Sequence, residues 1–136
     1  MIYLLDTNMA TYIVSGRSRT AREKLKEAME HSTVAVSAIT QAEILFGVEN
    51  KPGANRLRSA IEDFFETVQL LPWDSTAARA YGKLRARLSA SGKSLSAMDM
   101  LIAAHAAAIG AVLVTRDKAF LQTTPFLEIV DWAVDL

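Results

Sequence analysis

This sequence predicts an α/β fold of three layers, α/β/α, around a central, mainly parallel sheet of four to five strands. Two observations carry that expectation. Short runs of near-continuous apolar residues alternate with longer stretches in which apolar residues return every three or four positions, so strands and helices take turns along the chain. The short runs also lack the in-and-out alternation of a strand with one wet face, as strands covered by helices on both sides do.

Ile2 to Leu5 is the first such run, followed by a short helix from about Asn8 to Val14 that ends near Gly16. Ser18 to Glu30 gives a charged helix with Leu25 and Met29 on its inner side, and Val34 to Ser37 a second strand. A helix from about Thr40 to Glu49 turns Ile44, Leu45 and Val48 inward and stops before Lys51-Pro52-Gly53. Asn55 to Glu66 repeats the pattern with Leu57, Ile61 and Phe64, and Val68 to Leu71 is the third strand. Pro72-Trp73-Asp74 ends it, with Asp74 placed to cap a long helix from Ser75 to about Ser91 whose Ala77, Tyr81, Leu84 and Leu88 face the core. After the loop Ser91-Gly92-Lys93-Ser94, an Ala-rich helix from about Ala97 to Ile109 leads through Gly110 into the strand Val112 to Thr115. Phe126 to Val130 offers one more short strand, and Trp132 is expected to fold back onto the body. No repeat, linker or low-complexity segment interrupts this order, so residues 1–136 read as one domain.

Composition narrows the functional classes. A hydrophobic content of 51% is ample for a core, and 15 basic residues cancel 15 acidic ones. The absence of cysteine excludes disulfides, thiolate metal sites and cysteine nucleophiles. The amino-terminal apolar run breaks at Asp6 and has no basic segment before it, unlike a secretion signal. The longest apolar stretch, Met100 to Val114, contains His105 and Gly110 and is shorter than the roughly 20 residues that span a bilayer. A cytoplasmic protein without a membrane segment is expected.

Four acids then stand out: Asp6 and Asp117, each just beyond a buried strand, and Glu43 and Asp99, each in the opening turns of a helix. In an open parallel sheet, residues at the carboxyl ends of strands and in the following loops converge on one crevice. Each acid has a local use as well. Asp6 and Asp117 suit turns, while Thr40-Gln41-Ala42-Glu43 and Ser96-Ala97-Met98-Asp99 resemble capping boxes. Asp99, however, shares its helical stripe with Ile102, Ala103 and Ala106, which places it at the crevice end of a buried face. Four separate local explanations are less economical than one site. Gathered together, the carboxylates repel by about 4 kcal/mol per pair at a separation of about 4 Å and an effective dielectric of about 20, so a cation is expected among them. Oxygen ligands suit Mg²⁺ or Mn²⁺ rather than zinc, and such ions work with phosphate oxygens. If four of the 15 acids surround a cation, the remaining surface is basic by four, which suits a polyanionic substrate.

The other charged residues read more plainly. His31 lies in a polar turn, and His105, six positions past Asp99, is on a different side of its helix. Arg79, Lys83 and Arg87 form a stripe, and Arg17, Arg19, Arg22, Lys24 and Lys26 crowd one segment; both read as solvated helix faces. Arg116 and Lys118, flanking Asp117, are better placed to touch a phosphate backbone.

At these residues the chain resembles the PIN-domain ribonucleases, and within them the VapC-like toxins of type II toxin–antitoxin pairs. The resemblance rests on Tyr3-Leu4-Leu5-Asp6-Thr7-Asn8, on Ser37 through Gly47, on Gly92 through Asp99 into Leu101-Ile102-Ala103-Ala104-His105-Ala106, on Val114-Thr115-Arg116-Asp117-Lys118-Ala119-Phe120, and on Trp132. It departs at Ser94-Leu95, where many relatives carry Pro and an aliphatic residue, and at Asp117, often Asn in such toxins. The resemblance implies a PIN-like fold and an acidic metal-binding quartet of Asp6, Glu43, Asp99 and Asp117. The activity implied is Mg²⁺-dependent hydrolysis of RNA, with tRNA one candidate substrate. Asp6 and Asp99 are expected closest to the ion, with Glu43 and Asp117 positioning water. It further implies a homodimer and a cognate VapB-like antitoxin whose tail covers the crevice in a higher oligomer. Two rivals are an aspartyl-nucleophile phosphatase using Asp6 and a non-catalytic binding module of the same fold. The first wants a second Asp where Asn8 stands, and the second has no need of four intact acids.

Overall fold

The computed structural model describes all 136 residues. In chain order the elements are β1 (Ile2–Leu5), α1 (Thr7–Ser15), α2 (Arg19–His31), β2 (Thr33–Ser37), α3 (Ala38–Glu49), α4 (Asn55–Thr67), β3 (Gln69–Leu71), α5 (Ser75–Ala90), α6 (Ala97–Ile109), β4 (Val112–Val114), a 3-10 turn (Lys118–Thr123) and β5 (Ile129–Val130). The five strands make one sheet in the order β3-β2-β1-β4-β5, and every pairing is parallel. No helix is long and apolar enough to cross a membrane.

Successive side chains of a strand point to opposite faces, and β1 feeds two cores in this way. Leu5 joins Val36 and Val114 in a core closed by α1 to α4, while Leu4 joins Ala35 and Leu113 in a second core closed by α5 and α6. Both leucines are fully buried. This double covering accounts for the continuous apolar runs of the central strands; β3, at the sheet edge, is largely exposed.

Helix ends are fixed by side chains at the expected kinds of position. Asp6, Ser18, Ser37, Asp74 and Ser96 each accept a backbone N–H from the first turn of the helix they precede. At the far end of α1, Gly16 adopts φ 74°, and the Arg22 guanidinium donates to the carbonyls of Ile13 (2.7 Å) and Val14 (3.1 Å). A Cβ on Gly16 would stand 3.0 Å from the Arg22 side chain, so glycine serves both the turn and that cap.

Two expectations are corrected. Met29 is 41% exposed rather than inward, because α2 packs through Ala21, Leu25 and Ala28, and the next position turns outward. The last strand is only Ile129–Val130, and Phe126 lies outside it and half exposed. The stretch after β4 forms a 3-10 turn that buries Phe120 fully.

The carboxyl-terminal segment is bound to the body. Trp132 is buried with its ring 5.2 Å from that of Tyr3. Asp135 accepts from the hydroxyls of Ser18 (2.6 Å) and Thr20 (2.7 Å) and from the Arg19 N–H (2.9 Å), which holds its carboxyl well below the usual carboxylate range. Trp132→Ala is therefore expected to destabilise the protein by about 3–5 kcal/mol, measured by urea unfolding followed by circular dichroism.

Candidate active site

The strand order reverses direction at β1, which has β2 on one side and β4 on the other. Chains leaving such a switch point part above and below the sheet and leave a crevice at the strands' carboxyl ends. Asp6 sits there, directly after β1, with its N–H bonded to the Val114 carbonyl of β4 at 3.1 Å. Asp117 follows β4 by three positions and caps the 3-10 turn.

Asp6 is 5% exposed. Its Oδ1 accepts the Met9 N–H at 2.8 Å and its Oδ2 accepts the Thr115 hydroxyl at 2.5 Å. Thr115 Oγ1 in turn accepts the Asp117 N–H at 3.0 Å, which ties the two acidic loops together. Burial pushes the Asp6 carboxyl from 3.8 to about 6; the Thr115 and Met9 bonds oppose the shift, and the charges of Asp99 and Asp117 add to it. Asp99, in the first turn of α6, is half-buried, and burial raises its pKa as well. The Ser96 hydroxyl opposes that rise, and the charges of Asp117 and Glu43 reinforce it. Three acids thus act on one another directly, and Glu43 enters the set through Asp99.

Glu43 lies in the second turn of α3, half-buried, and accepts the Thr7 hydroxyl at 2.5 Å. Its capping-box reading is wrong: α3 begins two residues earlier than expected, Ser37 is the cap, and Thr40 is buried inside the helix. Ser96 does accept the Asp99 N–H (3.3 Å), so half of the second box is present.

No basic side chain neutralises these acids. The chain's ion pairs join Arg19 to Glu23, Lys24 to Glu27, His31 to Glu30, Arg58 to Glu49 and Arg116 to Asp131. Arg116 was expected to face a phosphate; instead its guanidinium turns to the carboxyl-terminal segment, donating to Asp131, to the Ala133 carbonyl (2.8 Å) and to the Leu136 carbonyl. Three such acceptors outcompete open solvent. No three Asp, Glu or His side chains stand close enough to hold one ion between them. The donor set nevertheless fits a hard divalent ion, since Mg²⁺ keeps several waters and takes only one or two carboxylates directly.

The residues that sequence reasoning missed are the hydroxyls that orient the acids, Thr7 and Thr115, each one or two positions from an acid. A third is Ser37, whose Oγ lies 2.7 Å from Nδ1 of the buried His105 while also accepting the Ile39 N–H. His105 is thus structural, and burial lowers its pKa despite the opposing charge of Asp74.

Residues 3–124 match the PIN domain family model. The chain belongs to the PIN-domain family. Within it, this PIN domain is 30% identical over 132 residues to "Ribonuclease VapC2" of Rickettsia felis, covering 97% of this chain and 98% of the relative. It is 29% identical over 130 residues to the "tRNA(fMet)-specific endonuclease VapC" of Salmonella typhimurium, covering 96% and 97%. The Rickettsia felis VapBC2 complex bound to a promoter DNA fragment contains a chain that matches with a TM-score of 0.90 at 30% identity, over 97% of this chain and 99% of that one. DNA-bound VapBC from Salmonella typhimurium gives a TM-score of 0.88 at 28% identity, over 97% and 98%. The expected PIN-like α/β/α architecture is thereby borne out.

A raised carboxyl pKa fixes the sign of a pH effect. Below 3.8 Asp6 is protonated in folded and unfolded chains alike; as pH rises through about 6, ionising the buried group comes to cost about 3 kcal/mol. In chelator, Asp6→Asn should therefore melt above wild type at neutral pH, and the difference should vanish as pH falls toward 3.8. Thermal melts of both proteins across that range check it.

Proposed function

We infer that this PIN domain is a metal-dependent endoribonuclease, the toxin of a type II toxin–antitoxin pair, which hydrolyses RNA phosphodiester bonds and is held inactive by a cognate VapB-like antitoxin. The observation that carries the reading is a group of mutually repelling carboxylates at the switch point of a parallel sheet with no basic partner. The relatives' names support the reaction class, and the VapBC complexes among its structural neighbours support the antitoxin. The name of the Salmonella typhimurium relative makes tRNA the substrate class of choice. A homodimer acting in the cytoplasm, and a higher oligomer with antitoxin, complete the reading.

Asp6 and Asp99 are assigned as the nearest holders of Mg²⁺ or Mn²⁺, with Glu43 and Asp117 orienting water around it. When bound, such an ion supplies an activated water and neutralises charge on the scissile phosphate. The chain's own part is orientation. The Met9 N–H and Thr115 hydroxyl fix the plane of the Asp6 carboxylate, and the Thr7 hydroxyl holds Glu43 toward the crevice. The amino ends of α1 and α6 add their positive poles beside it, which favours anionic groups there.

Antitoxin-free protein incubated with labelled tRNA in Mg²⁺ or Mn²⁺ should cleave it, and chelator should stop the reaction. Asp6→Asn and Asp99→Asn should each abolish cleavage, while Thr115→Val, which keeps shape but removes the hydroxyl, should lower it by about 10- to 100-fold. Lack of metal-dependent cleavage would favour a binding module, and phosphate trapped on Asp6 would favour a phosphatase. Metal at about 100 times its dissociation constant should add about 2.7 kcal/mol of stability, and a calorimetric melt of Asp6→Asn should respond less.

A further inference from the structure

Outside the crevice, charge is most one-sided on α5. That helix carries Arg79, Lys83, Arg85 and Arg87 and no acidic residue. Arg79, Lys83 and Arg87 recur every fourth position, about 6 Å apart along the axis, and none has an acidic partner. The other basic run of the chain behaves differently, since Arg19 and Lys24 on α2 are each paired to a glutamate of the same helix. The three unpaired cations line a groove of about 410 Å³ floored by Ala107 and Ala108 of α6 and closed by Phe126, and none of its lining residues is acidic. Phe126 is 46% exposed, and the Arg87 guanidinium stands 5.0 Å from its ring centre. Evenly spaced cations beside an exposed aromatic ring match a nucleic-acid strand, whose phosphates want positive charge and whose bases stack on rings. A solvated helix face needs neither the groove nor the ring.

We propose that the groove between α5, the end of α6 and Phe126 is a second RNA-binding surface, which holds the phosphodiester backbone of the substrate outside the acidic crevice. The proposal rests on the nuclease reading for the identity of the RNA. Ala107 lies eight residues beyond Asp99 on α6, about 12 Å along the helix, so one folded RNA can engage both places. The groove answers a difficulty of the crevice: four carboxylates repel the polyanion they are to cut, and a cationic surface nearby retains it.

The test compares the full-length wild type with Arg79→Gln/Lys83→Gln/Arg87→Gln and, as a control of matched charge type, with Arg19→Gln/Lys24→Gln on α2. Glutamine keeps helix propensity close to that of the residues it replaces, and circular dichroism verifies folding. Binding of labelled tRNA is read by fluorescence anisotropy in chelator at several salt concentrations, and KM and kcat are read in Mg²⁺. Each phosphate contact on a single strand contributes roughly 0.7 to the slope of log affinity against log salt. The triple variant should therefore flatten that slope by about 2 and raise KM, while the control leaves both unchanged. An unchanged slope and KM in the triple variant, or an equal loss in the control, would overturn the proposal. Binding in chelator reports on the groove even if no protein cleaves RNA, so failure of the nuclease reading appears separately as absent cleavage with an intact slope difference.

Discussion

Negative charge held away from water without a counter-cation is the constraint around which the rest of this molecule is arranged. An ionised carboxylate tolerates removal from solvent only when hydrogen bonds or opposite charge replace its hydration. At Asp6 the replacements are a backbone N–H, a threonine hydroxyl and the end of α1. These offset burial only in part, as the raised pKa records. The shortfall is kept because the sheet leaves no alternative. A parallel sheet with β1 at its centre must open at the carboxyl ends of β1 and β4, and whatever follows those strands meets there. The same geometry that makes the fold compact therefore makes one place in it electrostatically expensive, as the raised pKa of Asp6 and Asp99 records.

Charge elsewhere is sorted rather than mixed. The chain is neutral as a whole, yet the crevice gathers acids with no basic partner and α5 carries four cations and no acid, while Arg19 and Lys24 on α2 pair with glutamates of their own helix. A formal net charge near zero thus conceals two opposed fields on one small domain. Both regions adjoin the same helix, α6, which carries Asp99 in its first turn and Ala107 and Ala108 in its last.

Much of this was legible in the chain itself. The alternation of apolar runs and helical stretches gave the layers, and the position of Asp6 and Asp117 after buried strands gave the crevice, because strand direction and side-chain position are local properties. Asp99 was placed by its stripe of Ile102, Ala103 and Ala106, all of which are buried. What escaped depended on distant partners. Glu43 looked like half of a capping box because Thr40 precedes it by three; only the fold brings Thr7, 36 positions away, under its oxygen. Arg116 looked free for a phosphate because nothing in its neighbourhood competes for it, and its acceptors lie 15 to 20 positions downstream. Ser37 and His105, 68 positions apart, gave no joint signal. The fine division of the last strand escaped for a simpler reason: two residues of pairing carry no periodicity.

The central place of β1 bears on how the protein is born. Its first neighbour, β2, is complete by Ser37, but its other neighbour, β4, begins only at Val112. The hydroxyl that steadies Asp6 is 109 residues away. Contacts of such long separation form late, so an emerging polypeptide on the ribosome carries the opening aspartate without the wall that completes its pocket. A chain that stops short of Thr115 therefore has no hydroxyl with which to steady Asp6.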